Sequence, residues 1–417
     1  MIKKLLFLLA LTMGLTLQAR NIIYADNIKS LQTIVNNDFL SPAVMKLHSD
    51  DVLHISFDEL SHEYHRFIYK IAHCTPEWSE TSGLFESDYL KGFNGNPIED
   101  YENSRGTTVD YTHYTLQIPN EKCRLTRSGN YRLSIYDEEN DMEKVMDIEF
   151  MVYEDAMKLG MQMSTNTDID THKSHQQISL SLNYNQIRIT NLEEQIFTIV
   201  KQNDRDDNAC INPQPSLIKG NGLDWNHQRE LIFDAGNEYR KYEILAVSHP
   251  TFGIDHIDWD GHHYNAFLFT SEPRRNYIYD EDANGAFYIR NSDNFENDIT
   301  SDYVFVHYKM AMPRLAQGIE MTVDGWWTTD ADKDNYRMEY DEEDQAYYLT
   351  LMQKQGYYSY QYLERDADGR SSNAACEGNY YQTENSYQAY VYYRETGGRS
   401  WRLVAYRQLK ASPLTSS

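Results

Sequence analysis

Tyr131-Arg-Leu-Ser-Ile-Tyr136 and Ile148-Glu-Phe-Met-Val152 are two stretches in which apolar and polar residues alternate one by one. Because successive side chains of a β-strand point to opposite faces, this alternation predicts strands with one buried face. The same pattern recurs further along the chain, at residues 178–182, 304–308, 319–323 and 402–406. The chain is therefore predicted to be rich in strands from its first third to its end.

Turn signals separate these strands and support the same interpretation. Ser128-Gly-Asn130, Asp282-Ala-Asn-Gly285, Asp368-Gly369 and Gly397-Gly398 are sequences that favour tight turns. Thirty-four tyrosines add residues with a high β propensity. No segment carries a helical apolar stripe over three turns. Short strands separated by turns at this spacing predict an all-β protein built of β-sandwiches.

Two polar segments suggest where the sandwiches begin and end. The strand at residues 148–152 leads into a charged run and then into a polar stretch at 164–177, and residues 291–298 form an acidic, asparagine-rich linker. Together with an N-terminal export segment at 1–19, these boundaries predict three tandem immunoglobulin-like β-sandwich domains at 20–155, 156–298 and 299–411.

The N-terminus has the features of a secretory signal peptide. Lys3 and Lys4 precede an apolar run at residues 5–17, and Ala19 places a small residue before Arg20. Cleavage is therefore expected between Ala19 and Arg20. No cysteine follows the cut to carry a lipid, and no later stretch reaches the roughly 18 apolar residues of a membrane span. We expect a soluble, exported protein without a transmembrane segment.

The mature chain is strongly acidic. Without the two lysines of residues 1–19 it has 36 basic against 64 acidic residues, a net charge of −28. Nucleic-acid binding requires lysine and arginine to neutralise phosphates, so this charge argues against it. It equally argues against docking on an anionic membrane surface. A basic protein partner, or solubility alone, fits the composition better.

The four cysteines are Cys74, Cys123, Cys210 and Cys376, which lie far apart and show no C-x-x-C or zinc-like spacing. An oxidising compartment would permit disulfides, and the sequence leaves their pairing open. Cys74 stands in an apolar run and is expected to be a buried thiol.

The motifs that could hold a metal are each incomplete. Residues 280–285 start like a calcium loop, but the twelfth position is Asn291 and not a glutamate. Residues 330–334 start similarly, with Asn335 where the glycine belongs. His62-Glu-Tyr-His65 is one residue too short for a zinc helix. The sequence also lacks a nucleophile elbow, a P-loop and a dinucleotide-binding glycine pattern. We therefore expect no cofactor, no metal and no enzymatic activity.

Residues 318–327 form a predicted strand that ends in Trp326 and Trp327. This element resembles the carbohydrate-binding sandwich associated with glycogen-branching enzymes, and adjacent aromatic rings can stack on sugars. The third sandwich is thus compared with a carbohydrate-binding module. Two interpretations remain open: a sugar site at Trp326 and Trp327, or one core tryptophan beside one half-exposed tryptophan.

A longer, ordered set of motifs runs along most of the mature chain. In the first third it includes Tyr69-Lys-Ile-Ala-His-Cys74, Glu77-Trp78, Asp88-Tyr-Leu-Lys-Gly-Phe93, the segments 98–104 and 107–114, and Ser128-Gly-Asn-Tyr131. Later members are the segments 201–208, 235–240, 274–280, 301–304 and 354–358. This set resembles the plug proteins of the type IX secretion system of Bacteroidetes. Asp206 replaces an expected tryptophan, and Glu149-Phe150 replaces an expected Arg-Phe pair.

The resemblance implies a function that the motifs alone do not. It implies a periplasmic protein that binds the outer-membrane translocon β-barrel of this system and closes its periplasmic opening when no cargo passes. No catalytic residues accompany the family. The protein is expected to be monomeric when free. A glycan-binding envelope protein remains the alternative, and the contact surface on the translocon is not identifiable from the sequence.

Overall fold

The computed structural model describes residues 21–411, and its regular structure is almost entirely β, with 47% strand and 5% helix. The prediction of an all-β sandwich protein is confirmed. The predicted signal peptide and its cleavage site at Ala19 and Arg20 lie outside the described residues.

The first unit, up to residue 154, is a sandwich of two sheets. The sheet of β2, β4, β9 and β8 packs against the strands β7, β5, β11 and β12, with β1 and β3 paired to β12. Phe57, Tyr131 and Phe150 are among its fully buried side chains. The elements are β1 (Ile22–Ile23), β2 (Ile28–Val35), β3 (Val44–Lys46), β4 (Leu53–Glu59), β5 (Phe67–Cys74), α1 (Glu86–Tyr89), β6 (Leu90–Gly92), β7 (Asn96–Pro97), β8 (Asp100–Asn103), β9 (Thr112–Ile118), β10 (Cys123–Leu125), β11 (Gly129–Asp137) and β12 (Glu143–Tyr153).

The second unit begins after this sandwich and contributes one complete sheet of its own. Strands β13, β14, β18 and β17 form that sheet, with β19 also paired to β14. Trp225 and Leu223 are buried at its centre. The elements are β13 (Lys158–Ser164), β14 (His175–Asn183), α2 (Leu192–Gln195), β15 (Ile196–Gln202), β16 (Cys210–Ile211), β17 (Leu217–Lys219), β18 (Gly222–Trp225), a 3₁₀ turn (Arg229–Leu231) and β19 (Ile232–Asp234).

The third unit is a sandwich of two five-stranded sheets around a tyrosine-rich core. One sheet is β20-β28-β23 with β25 and β29 paired to β28, and the other has the order β21-β22-β24-β27-β26. The elements are β20 (Arg240–Glu243), β21 (Ile254–Trp259), β22 (Tyr264–Leu268), β23 (Phe287–Ile289), α3 (Asn297–Thr300), β24 (Tyr303–Ala311), β25 (Glu320–Asp324), a 3₁₀ turn (Lys333–Tyr336), β26 (Glu339–Asp341), β27 (Ala346–Lys354), β28 (Gly356–Arg365) and β29 (Ser371–Asn373).

The chain then returns to the second unit through β30 (Asn385–Tyr393) and β31 (Arg402–Ala411). These strands join β15 and β16, so that the second sheet of this unit is made of distant parts of the chain. β31 also pairs with β12 in parallel at Leu403 and Tyr153. A single ten-stranded sheet therefore runs through the first and second units. Eight of its strands follow the order β16-β15-β30-β31-β12-β11-β5-β7, and β1 and β3 also pair with β12.

Three of the four hydrophobic clusters each form the core of one unit, and the fourth lies between the first and second units. These cores divide the chain at other places than the polar segments do. The first core ends at Val152, close to the predicted boundary at 155. The predicted boundary at 298 falls inside the third core, which includes both Ile254 and Val304. The buried hydrophobic residues of 387–411 pack in the second core or in the cluster between the first and second units, and not in the third core. We propose the units 22–154, 157–234 together with 385–411, and 240–376.

His73, one of the early histidines, is buried in the first unit. Its Nδ1 lies 2.9 Å from Thr81 Oγ1 and its Nε2 lies 3.2 Å from the Ser128 carbonyl oxygen. A Cβ on Gly129 would sit 2.3 Å from that Nε2, so glycine is required beside it. Burial lowers the pKa of His73 to about 4.

This burial predicts an acid-sensitive contribution to stability. The unfolded chain takes up a proton near pH 6.5 and the folded chain only near pH 4, so stability is complete above pH 6.5 and falls as the pH drops towards 4. Between pH 6.5 and pH 4 we expect the unfolding free energy of the wild type to fall by about 3 kcal/mol more than that of His73→Gln, because glutamine takes up no proton. Urea unfolding at several pH values measures this, and parallel pH curves for both proteins would contradict it.

Candidate functional site: the joints between the units

Trp326 and Trp327 point to different places. Trp327 packs in the third core against Tyr308, Tyr336 and Tyr358, and its Nε1 donates to the Ser359 carbonyl oxygen at 3.2 Å. Trp326 lies the other way, and its Nε1 donates to the carbonyl oxygen of Asn203 in the second unit at 3.3 Å. The two indoles are half-buried. Trp327 therefore belongs to the third core, and Trp326 to the contact between the second and third units. The sugar site at this pair stays a prediction, and this arrangement does not favour it.

Trp326 lines a cavity of about 100 Å³ to which all three units contribute. Trp78 and Glu149 line it from the first unit and Lys201 from the second. Trp78 is held at a φ of +63°, a conformation that bulky residues rarely adopt. Its strained turn therefore positions a large ring at the meeting point of the units.

The joint between the first and third units is built on a buried ion pair. Lys354 Nζ donates to Asp58 Oδ2 at 2.6 Å, and the two side chains are 1% and 0% exposed. Tyr303 also donates its hydroxyl to Oδ2 at 2.6 Å, and His113 Nδ1 lies 2.6 Å from Oδ1. The Lys354 ammonium stands 4.0 Å from the centre of the Tyr111 ring. Asp58 thus has partners at both oxygens, as a buried carboxylate requires.

The electrostatics of this joint favour the charged form of Asp58. Burial by itself would raise the pKa of the Asp58 carboxyl, but the charge of Lys354 and the contact with His113 hold it below its ordinary value. Burial lowers the pKa of Lys354 and the Asp58 carboxylate opposes that shift. Each group therefore depends on the other to remain charged inside the protein.

Backbone and side-chain hydrogen bonds surround the ion pair. Asp302 of the third unit accepts from the Thr108 amide at 2.9 Å and from the Val109 amide at 3.2 Å. The Tyr111 hydroxyl donates to the Ser301 carbonyl oxygen at 2.8 Å. The first and third units are held together by directional contacts as well as by charge.

Glu377 lies on the segment that leads from the third unit back to the second, and it is 4% exposed. Its carboxylate accepts from Arg240 Nε at 3.1 Å and from Arg274 Nη2 at 2.6 Å. Its backbone carbonyl accepts from Asn237 Nδ2 at 2.8 Å, on the segment that links the two units. Although burial would raise the pKa of Glu377, the two arginines lower it. This carboxylate fixes the start of the third unit.

The first and second units share the ten-stranded sheet, and side chains reinforce that continuity. Arg402 donates to both oxygens of Glu154, from Nε at 2.7 Å and from Nη2 at 2.8 Å. Tyr392 donates its hydroxyl to Asn130 Oδ1 at 2.8 Å in a buried position. Between the second and third units, Arg205 Nη1 donates to Asn373 Oδ1 at 2.6 Å and Trp326 Nε1 donates to the Asn203 carbonyl oxygen at 3.3 Å. All three pairs of units are therefore bonded to each other.

The acidic residues of the turn at 280–285 accept hydrogen bonds from other groups of the protein. Lys241 Nζ donates to Asp280 Oδ1 at 2.6 Å and also to the Glu281 carbonyl oxygen. Asp282 accepts from the amides of Tyr239 and Asn284. Within residues 21–411 no group of three or more His, Cys, Asp or Glu side chains is arranged to hold a metal ion. Lys241 and two backbone amides thus bind the carboxylates of this turn.

The cysteines behave as thiols. All four are free, Cys74, Cys123 and Cys376 being buried and Cys210 half-buried. Burial raises the pKa of each thiol to about 12. A thiolate is the reactive form, so burial disfavours reaction of these side chains in the folded protein. The expectation that Cys74 is a buried thiol is confirmed.

The motifs quoted for the resemblance supply many of these joint residues. The segment 107–114 contains Tyr111 and His113, the segment 301–304 contains Asp302 and Tyr303, and the segment 354–358 begins with Lys354. The sequence did not single out Asp58, because its partner Lys354 is 296 residues away. A useful signal would have been a charged residue directly after the apolar alternation of Ile55-Ser-Phe57.

Comparisons with known proteins fit this architecture. Residues 28–154 match the family model described as the first domain of the type 9 secretion system plug protein. A crystal structure of a hypothetical protein from Parabacteroides merdae is 34% identical, with a TM-score of 0.90, and the match covers 94% of this chain and 99% of that one. No curated protein matches the sequence. No helix within residues 21–411 is long and apolar enough to cross a membrane.

Proposed function

Because this chain belongs to the type 9 secretion system plug protein family, we propose that it binds the periplasmic opening of the outer-membrane translocon barrel and closes it when no cargo passes. The family is a component of a secretion system and not a known enzyme family, and it implies association with the secretion barrel and a location in the cell envelope. The act of closing the barrel is the part that we propose.

The observation that supports closure is the bonding of all three units into one body. Domains joined by linkers alone move relative to one another, which would leave gaps over an opening. Here a shared sheet connects the first and second units, a buried ion pair connects the first and third, and hydrogen bonds of Arg205 and Trp326 connect the second and third. A compact chain of about 390 residues has a radius of gyration of about 21 Å. Such a body is large enough to cover an opening a few nanometres wide.

The charge of the chain suits a contact that forms and releases. Reversible interfaces are more polar than permanent ones, and complementary charge speeds encounter without making the complex permanent. With 64 acidic residues the protein would be attracted to basic periplasmic loops of the barrel. We propose that the mature protein, cleaved before Arg20, acts in the periplasm as a monomer that meets the barrel there.

Deleting the gene tests this function in the cell. We expect the deleted strain to admit large hydrophilic probes through its outer membrane while the barrel is still assembled, and the wild-type gene to restore the barrier. A matched control is a strain that lacks the barrel as well, in which the leak should disappear. A deleted strain that excludes the probes as well as its parent would contradict the proposal.

A further inference from the structure

The sheet β21-β22-β24-β27-β26 of the third unit has an outer face that is unusually aromatic. In β24 the side chains of Val304 and Val306 are buried, whereas those of Phe305 and His307 lie on the opposite, half-exposed face. The register of β22 with β24 places Asn265 beside Phe305 and Phe267 beside His307. The solvent side of a sandwich sheet is normally polar, so these phenylalanines indicate a surface that is covered at some stage.

Three rings on this face form one stack across three strands. The ring of Phe267 lies 4.4 Å from that of His256 and 4.2 Å from that of His307, with interplanar angles of 7° and 8°. Asn265 Oδ1 and Thr350 Oγ1 lie 2.9 Å from the two nitrogens of His307. Burial, followed by the nearby His256, lowers the pKa of His307, so the imidazole at this end of the stack is uncharged at neutral pH.

The aromatic surface continues to both ends of the stack. Phe269, two residues beyond Phe267, is 59% exposed, and its amide donates to the carbonyl oxygen of Gly253, next to the 57% exposed Phe252. At the other end His263 packs edge-on against Phe305. We call the set His256, Phe267, Phe269, Phe305 and His307 the aromatic face.

The geometry of the stack indicates what kind of partner fits. Both faces of the Phe267 ring are already covered by imidazoles, so the stack presents ring edges outwards. A sugar that stacks on aromatic side chains needs open ring faces, which this stack does not offer at its centre. A protein surface, by contrast, packs against ring edges and the half-exposed phenylalanines around them.

Charge around the aromatic face selects the partner further. Asp255 and Asp258 flank His256 with side chains that are 55% and 68% exposed, and residues 341–344 form a run of four acidic residues beyond β26. Lys309, on the same face of β24 as Phe305 and His307, and Arg314 are paired with Asp344 and Glu342. An apolar centre with an acidic rim complements a partner with an apolar centre and a basic rim.

We propose that the aromatic face is the surface with which this protein docks on a periplasmic, lysine- or arginine-bearing segment of the translocon barrel. This inference rests on the proposed function and adds a contact surface to it. The ring stack forms the apolar centre of the contact. The acidic residues around it orient the partner by attracting its basic side chains. Association should therefore weaken as ionic strength rises.

The test compares the wild-type protein with three variants in binding to the detergent-solubilised translocon barrel. For Phe267→Asp we expect at least about tenfold weaker binding, because a charge replaces the central ring. For Asp255→Lys with Asp258→Lys we expect weaker binding and a flatter salt dependence. Phe93→Asp is the matched control, since Phe93 is 77% exposed on the first unit and should bind within twofold of the wild type.

The outcomes separate this inference from the proposed function. Thermal unfolding and circular dichroism check that each variant is folded, as we expect for substitutions at exposed or half-exposed positions. If the wild type binds the barrel and Phe267→Asp binds equally well, the docking face is wrong while the function stands. If the wild type itself does not bind, the proposed function fails. Dimerisation or vesicle binding that depends on Phe267, without an effect on barrel binding, would also overturn the inference.

Discussion

Replacing Lys354 by methionine is expected to lower the free energy of unfolding by about 3–5 kcal/mol, because it leaves the Asp58 carboxylate buried without its cation. Asp58 is fully buried and its Oδ2 accepts from Lys354 Nζ at 2.6 Å. The loss should appear as a fall in Tm of several degrees. Because the pair joins two units, amide exchange in residues 297–302 should also accelerate.

Two further variants isolate the cause of that loss. Asp58→Asn with Lys354→Met removes both charges together, and we expect it to recover part of the stability, since the unpaired charge is the main penalty. Lys122→Met breaks an exposed pair with Glu99 and should change stability by less than about 1 kcal/mol. Equal effects for the Lys354 and Lys122 variants would show that the buried pair does not join the units.

The second large effect is expected for Glu377→Ala. Glu377 is the shared acceptor of Arg240 and Arg274, and its removal would leave two guanidinium groups without their carboxylate in a largely buried site. We expect a loss of about 3–5 kcal/mol in chemical unfolding. Glu377 also accepts from the Tyr362 amide at 3.0 Å, so β28 should loosen at this point.

An exposed carboxylate–arginine pair provides the comparison for Glu377. Glu342 and Arg314 form one whose side chains are 70% and 66% exposed. Glu342→Ala should therefore be nearly neutral, within about 1 kcal/mol. If Glu377→Ala unfolds at the same urea midpoint as the wild type, the two arginines find other acceptors and the start of the third unit does not depend on Glu377.

The strands were predictable because alternation is a local property. The stretch at 131–136 lies within β11 and the stretch at 148–152 within β12, and both supply fully buried side chains to the first core. The all-β class followed from such patterns. The glycine at Gly129 likewise had a local reason, a turn conformation that only glycine adopts easily.

The association of distant segments was not predictable in the same way. β31 carries the alternation of a strand, but nothing within it tells whether it pairs inside the third unit or returns to the second. The polar run at 291–298 looked like a linker, yet Asn291 is buried and its Nδ2 donates to Thr300 Oγ1 at 2.8 Å. Local composition therefore identified this segment as polar. It did not show that the segment is an ordered turn where two units meet.

The two tryptophans illustrate the same limit for a site. Adjacent residues in a strand point to opposite sides, and the residues that follow a strand can also diverge. Trp326 and Trp327 accordingly reach two different carbonyl oxygens, those of Asn203 and Ser359. Their adjacency in the sequence suggested one site, whereas their positions in the fold depend on two separate environments.

The most direct test of closure is the ionic conductance of the purified translocon barrel in a planar lipid bilayer. If this protein closes the barrel, adding it to the periplasmic side should reduce the conductance of single channels to near the level of the bare bilayer, and adding it to the opposite side should have no effect. Because the contact is partly electrostatic, the block should weaken at high salt. A conductance that stays unchanged at saturating protein, while the protein remains bound to the barrel, would contradict the account.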